Sequence, residues 1–252
     1  MTPTQGELEL PEHVQFVTAV SRVDVLSQRL LRSPCIESGR CRLVAHFNAS
    51  SAAQAFNSTL DAMDAAAGSV WLVWVHQDVF LPGDWDKNFL RALQVARRQI
   101  PQLAVAGVYG IARGPAPGLR AGHVLDRGTL LREPAALPCE VDSLDELLFA
   151  VRAGTQLKLD PALGFDFYAT DLVLQAQARG FAAAAVDAYC EHWSDTPNGA
   201  SIPAALAQRI LASGRAFEAK WSHRFPLETS WLALHAAGDV ERFVDSLQKG
   251  AP

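Results

Sequence analysis

The chain has 252 residues, 49% hydrophobic and 19% charged, with a formal net charge of −5. Such a composition supports a sizeable core and excludes a disordered chain. The acidic balance argues against a nucleic-acid groove as the main role, and no run reaches the roughly 20 apolar residues of a bilayer helix. Cys35, Cys41, Cys139 and Cys190 form no C-x-x-C pair. Neither a disulfide scaffold nor structural zinc is expected, and a reducing cytoplasm is the simplest compartment. Met1 to Glu12 has no basic end and no apolar run, so it does not read as a secretory signal.

In chain order, Val14 to Val20 reads as a strand. Arg22 to Leu31 reads as a helix, with Val23, Leu26, Leu30 and Leu31 at helical spacing and Ser33-Pro34 as its stop. Cys41 to Phe47 is a second strand, left by the polar loop Asn48 to Ser51. Asn57 to Ala67 reads as a helix closed by Gly68. Ser69 to Val75, SVWLVWV, is apolar without alternation, the pattern of a strand covered on both faces. Asp86 to Arg98 is a helix and Leu103 to Val108 a further strand. Three strand–helix alternations in the first 110 residues predict a doubly wound α/β sheet.

The middle of the chain is less regular. Gly110 to Gly122 reads as a glycine- and proline-rich surface loop, Val141 to Ser143 as a short strand and Leu144 to Arg152 as a helix. Phe165 to Thr170 is a loop leading into a helix, Asp171 to Arg179, ended by Gly180, and Phe181 to Ala188 returns as a strand. After Pro203 the chain reads as helical over Ala204 to Trp221, Leu227 to Ala236 and Val240 to Lys249. Residues 1–200 therefore read as one domain and 201–252 as a helical extension packed on it.

Open α/β sheets take ligands outside the carboxyl ends of their strands. That rule singles out Asn48 to Ser51, His76-Gln77-Asp78 and Glu191-His192-Trp193-Ser194. The glycines do not fit G-x-G-x-x-G, and neither G-x-x-x-x-G-K-[ST] nor G-x-S-x-G occurs. This argues against dinucleotide, P-loop and serine-hydrolase chemistry.

The stretch NSTLDAMDAAAGSVWLVWVHQDVFLP, followed by VDSLDELLFAVR, GFDFYATDLVLQAQARG and AYCEHWS, resembles a glycosyltransferase-like family. This family includes a streptomycin-biosynthesis protein and is a branch of the GT-A family-two glycosyltransferases. The resemblance spans about residues 14 to 195. It implies a GT-A-like, mixed but mostly parallel sheet flanked by helices. It also implies a nucleotide-sugar donor, a hydroxyl acceptor and a divalent cation, Mn²⁺ or Mg²⁺.

On this resemblance Asp78 and His192 are metal ligands, and Asp171 is the base that takes a proton from the acceptor hydroxyl, with inversion at the sugar carbon. The sequence departs from the D-x-D pattern of most such enzymes, since His76 stands at the first position and leaves one carboxylate. Asn48, Ser50, Asn57, His76 and Gln77 are expected at the nucleotide, and Asp166 and Trp193 at the acceptor. The same residues have plainer readings: a polar turn for His76 to Asp78, helix capping for Asn57 and Asp171, packing for Trp85, Trp193 and Trp221. Arg113 and Arg120 flank the glycine-rich segment without a firm assignment. The expected function is metal-dependent sugar transfer; the alternative is a binding module that keeps the fold without turnover. The sequence leaves the oligomeric state open.

Overall fold

The computed structural model of the chain describes residues 12–63, 70–114, 118–194 and 202–249. Its first half runs β1 (His13–Val20), α1 (Val23–Gln28), α2 (Pro34–Glu37), β2 (Arg42–Phe47), α3 (Ala52–Asp61), β3 (Val70–Val75), β4 (Val79–Phe80), α4 (Trp85–Gln99) and β5 (Leu103–Gly107). It continues with β6 (Tyr109–Ala112), β7 (Arg120–Asp126), β8 (Thr129–Arg132), β9 (Cys139–Leu144), β10 (Leu148–Arg152), α5 (Tyr168–Ala178), β11 (Ala182–Ala185) and β12 (Cys190–His192). The chain closes with α6 (Ala204–Trp221), β13 (Leu227–Glu228), β14 (Ala233–Leu234) and α7 (Asp239–Lys249).

Twelve strands form one sheet in the order β2-β1-β3-β10-β5-β11-β9-β6-β7-β12-β4, with β8 on β7. Four pairings are parallel: β1 with β2, β1 with β3, β5 with β11 and β7 with β12. The other seven are antiparallel. The sheet is therefore mixed, which corrects the mostly parallel expectation. Parallel neighbours need long crossovers, and helices supply these in the first half of the chain. Residues 109–152 contain no α-helix among those described, and their strands turn back on one another.

Two segments in the middle of the chain depart from their local patterns. Leu144 to Arg152 carries apolar residues at helical spacing, yet β10 is inserted antiparallel between β3 and β5, with Leu148, Phe149, Ala150 and Val151 all buried. Burial on both faces overrides a weak helical preference there. The expected loop from Gly110 to Gly122 is mostly the β6–β7 pair; residues 115–117 lie outside those described. Gly110 serves close packing, because a Cβ there would collide with the Ser143 carbonyl oxygen.

Helix α3 starts at Ala52, five residues earlier than Asn57, and the Ser51 hydroxyl caps it by accepting from Gln54 N at 3.0 Å. The expected helix end at Ala67 and Gly68 lies outside the described residues. Leu227 to Ala236 is a small β13–β14 hairpin rather than a helix.

The sheet is packed on both faces. Phe16, Trp71, Val73 and Val75 face a layer with Leu26 of α1 and Trp85, Phe89, Leu93 and Ala96 of α4. Val17, Leu72, Trp74 and Phe149 face a layer built from α3, α5, α6 and α7. In α4 the buried residues recur at helical spacing, which is why this otherwise charged segment folds against the sheet. Helices α6 and α7 share the core with α5: Phe167 stacks on Phe217 at 5.1 Å, and Trp231 lies against both Phe167 and Phe243. Among the described residues no helix is long and apolar enough to cross a membrane.

Candidate functional site

Strands β2, β1 and β3 are adjacent and parallel; the chain leaves β1 for β2 on one side and crosses back to β3 on the other. Where connections leave a central strand in opposite directions, a crevice opens beyond the carboxyl ends. A cavity of about 380 Å³ lies there. Ser21 follows β1, Asn48 and Ala49 follow β2, and His76, Gln77 and Asp78 follow β3; all line it, with Trp74, Phe165, Tyr168 and Arg209. Gln77 ties two strand ends together: its Oε1 accepts from Ser21 N at 3.1 Å and Arg22 N at 3.0 Å, and its Nε2 donates to Ser21 Oγ at 2.8 Å. Asn48 turns the chain with φ +56°, a left-handed conformation that asparagine tolerates.

Beside this cavity His76, Asp78 and His192 each offer a ligand atom within 4.8 Å of the others. The short β4–β12 pairing makes the convergence: His192 is paired with Val79, and Trp193 N donates to the Asp78 carbonyl at 3.1 Å. On its other side β12 runs parallel to β7, with His192 opposite Asp126. His192 Nδ1 lies 2.8 Å from Asp126 Oδ1, and its Nε2 lies 3.4 Å from Asp78 Oδ1. The second approach is electrostatic only, since Asp78 Oδ1 is buried with no aligned hydrogen bond among the described residues.

Charge in this cluster follows from burial and pairing. Burial alone opposes a charged His192, but Asp126 and Asp78 outweigh it and raise its pKa to about 10. Burial likewise opposes ionised Asp78, yet His192 and His76 hold its carboxyl below the usual range. Asp126 is lowered by its hydrogen bond to His192. Burial lowers His76, against the pull of Asp78, so that imidazole is neutral.

This donor set fits a divalent cation. A carboxylate–imidazole pair that fixes one ring nitrogen and leaves the other facing a second carboxylate is the usual outer-shell support of a metal-binding histidine. The unsatisfied Asp78 Oδ1 is where such an ion would bind. Two imidazoles with one carboxylate favour a first-row transition cation such as Mn²⁺ over Mg²⁺, which takes oxygen ligands.

Behind the cluster, Tyr168 Oη lies 2.9 Å from His76 Nε2 and accepts from Trp74 Nε1 at 3.1 Å. Trp74 Nε1 also donates to the Glu146 carbonyl at 3.1 Å. Glu146 Oε1 is buried with no hydrogen-bond partner among the described residues, and this burial pushes the carboxyl well above the usual range.

Several expected site residues are elsewhere. Asp171, the expected base, is fully buried in the core; it accepts from Trp221 Nε1 at 2.7 Å and Gln175 Nε2 at 2.6 Å and pairs with Lys220 at 2.7 Å. Its oxygens are spent on packing α5 against α6, and it does not line the cavity. Asn57 is in mid-helix, donating to the Leu159 carbonyl at 2.8 Å and accepting from Leu159 N at 2.9 Å. Ser50 gives its N–H and hydroxyl to Gln54 Oε1. Asp166 is buried and bound to Arg209 and Ser213. Trp193 lies under Arg29 at 4.5 Å. Trp85 is stacked on Phe89 in the core. Arg113 pairs with Glu140 and Asp142, and Arg120 donates to the Ser230 carbonyl.

Sequence reasoning missed Asp126, Tyr168, Glu146 and Arg209. Tyr168 and Glu146 at least sit inside the motif-bearing segments; Asp126 and Arg209 carry no local signal.

No family model matches the chain. Over 132 residues it is 30% identical to "ATP synthase subunits region ORF 6" of Fuscovulum blasticum. The alignment takes in 49% of this chain and 51% of that protein, so the chain spans about half the length of the relative it matches. Among solved structures it is similar to "Crystal Structure of A197 from STIV", at a TM-score of 0.43 and 16% identity over 73% of this chain and 86% of the other. That likeness is too loose to carry a functional argument.

Proposed function

We propose that this chain is a GT-A-like, Mn²⁺-dependent glycosyltransferase that moves a sugar from a nucleotide-sugar donor to an acceptor hydroxyl. The observation that carries the reading is the convergence of His76, Asp78 and His192 beside a cavity at the carboxyl ends of three parallel strands. His76, Asp78 and His192 would hold a divalent cation, which would supply charge neutralisation to a departing nucleoside diphosphate. Asp126 orients His192, and Tyr168 orients His76, so both rings are set before any ligand arrives. Ser21, Asn48 and Gln77 form the polar wall offered to the nucleotide, and Phe165 the aromatic surface offered to a sugar face. The four cysteines are free, which agrees with a reducing compartment, and the cytoplasm is the proposed one.

The expectation of inversion rested on Asp171 as base and goes with its burial in the core. The same burial favours a second reading, a nucleotide- or sugar-binding module without turnover. Calorimetry with a panel of nucleoside diphosphates, with and without Mn²⁺, tests the shared part of both readings. Binding is expected to tighten sharply with the cation, and that gain is expected to vanish in Asp78→Ala. Absence of heat across the panel with Mn²⁺ present would overturn both. Release of free sugar or a transfer product from a nucleotide-sugar panel then separates the enzyme from the silent module.

A further inference from the structure

Helix α6, in the C-terminal segment, reaches into the same cavity. Its Arg209 lines the wall with Phe165 and Tyr168. The guanidinium is held in a fork, Nε donating to Asp166 Oδ2 and Nη2 to Asp166 Oδ1, each at 3.0 Å. Asp166 is only 6% exposed and also accepts from Ser213 Oγ at 3.2 Å, one turn further along α6. The turn that carries Asp166 is itself pinned. Phe167 takes φ +64°, a left-handed conformation costly for a bulky residue, and its ring is stacked on Phe217 of α6. Phe165 and Tyr168, on either side, stay at the cavity.

This bracing uses one edge of the guanidinium. Among the described residues no hydrogen bond engages Nη1, and the side chain remains 48% exposed. An arginine fixed in this way has given up its rotamer freedom before a ligand arrives, so little is lost when it binds one. A guanidinium only donates hydrogen bonds, and two parallel N–H groups match two oxygens of one oxyanion.

We infer that Arg209 is an oxyanion-binding residue of this cavity and that the ligand group it meets is a phosphate. The inference deepens the proposed reading, but its test needs neither sugar transfer nor a cation. A phosphate of the donor and a phosphate on the acceptor would present the same chemistry.

The test is calorimetry on the full chain in EDTA, titrated with inorganic pyrophosphate. Wild type is expected to bind. Arg209→Lys keeps a cation beside Asp166, so the fold is retained, but it loses the fork; affinity should fall about tenfold. Arg215→Gln, an exposed change on the same helix away from the cavity, should leave affinity unchanged. No binding by wild type, or equal binding by wild type and Arg209→Lys, overturns the inference. Tighter binding of a nucleoside diphosphate than of a hexose phosphate assigns the phosphate to the donor; the reverse order assigns it to the acceptor. Pyrophosphate binding that depends on Arg209, with no Mn²⁺-dependent nucleotide binding, supports this inference while sinking the sugar-transfer reading.

Discussion

His192 Nε2 lies 3.4 Å from Asp78 Oδ1 although the two residues belong to distant parts of the chain. The two-residue strand β4 and the three-residue strand β12 bring them together. Asp126 grips the opposite face of the same imidazole, so His192 is held between two carboxylates, one of which has an oxygen to spare.

That clamp makes cation binding a competition with a proton. His192 stays protonated up to about pH 10 in the cation-free protein. Mn²⁺ must displace that proton, so its affinity should rise about tenfold per pH unit from pH 6 to 9. Calorimetry in buffers of different ionisation enthalpy should show release of about one proton per ion. A pH-independent affinity would mean that His192 is not a ligand. Mg²⁺ should bind more weakly than Mn²⁺ across this range.

The same clamp stabilises the cation-free fold. The folded pKa of His192 is raised above its ordinary value, so its contribution is fully present below about pH 6.5 and lost as pH rises through about 10. Urea unfolding in EDTA should show wild type well ahead of His192→Gln at pH 6, with the gap shrinking as pH approaches 10. A constant gap would show that the pairing carries no proton linkage.

Glu146 has the opposite sign. Its acid is raised by burial, so the unfolded chain ionises first and the folded state loses ground as pH rises above the ordinary carboxylate range. Glu146→Gln keeps the shape without the charge. It should match wild type near pH 4 and have a higher Tm at pH 7 by differential scanning calorimetry.

Asp171 should prove structural. Asp171→Asn leaves Lys220 facing a neutral amide in the core contact between α5 and α6. It should cost about 2 kcal/mol in denaturant unfolding, because the Trp221 and Gln175 hydrogen bonds lose their charged acceptor while Lys220, a third exposed, keeps Asp160. Nucleoside diphosphate affinity of the folded fraction should not change. Loss of transfer activity at unchanged stability would restore the catalytic role.

Asn57 should behave the same way on a smaller scale. Its amide makes two hydrogen bonds to the backbone of Leu159. Asn57→Ala should cost about 2 kcal/mol without altering nucleotide affinity, as measured by urea unfolding and calorimetry.

The sequence alone determined the α/β class, the buried strand Val70–Val75, the amphipathic α4 and the polar ends of the strands, including His76, Asp78 and His192. These features are local: unbroken apolar runs, helical spacing and turn residues are written along the chain and need no partner to be read. Only the tertiary structure decided that Leu148–Arg152 is a central strand, that Asp171 turns into the core, and that Asp126 and Arg209 reach the site. Antiparallel pairing and side-chain direction depend on which surfaces meet. A buried carboxylate at a helix start has the same local sequence whether it faces a tryptophan indole or a cavity, and packing across α6 and the β4–β12 pair supplied that choice.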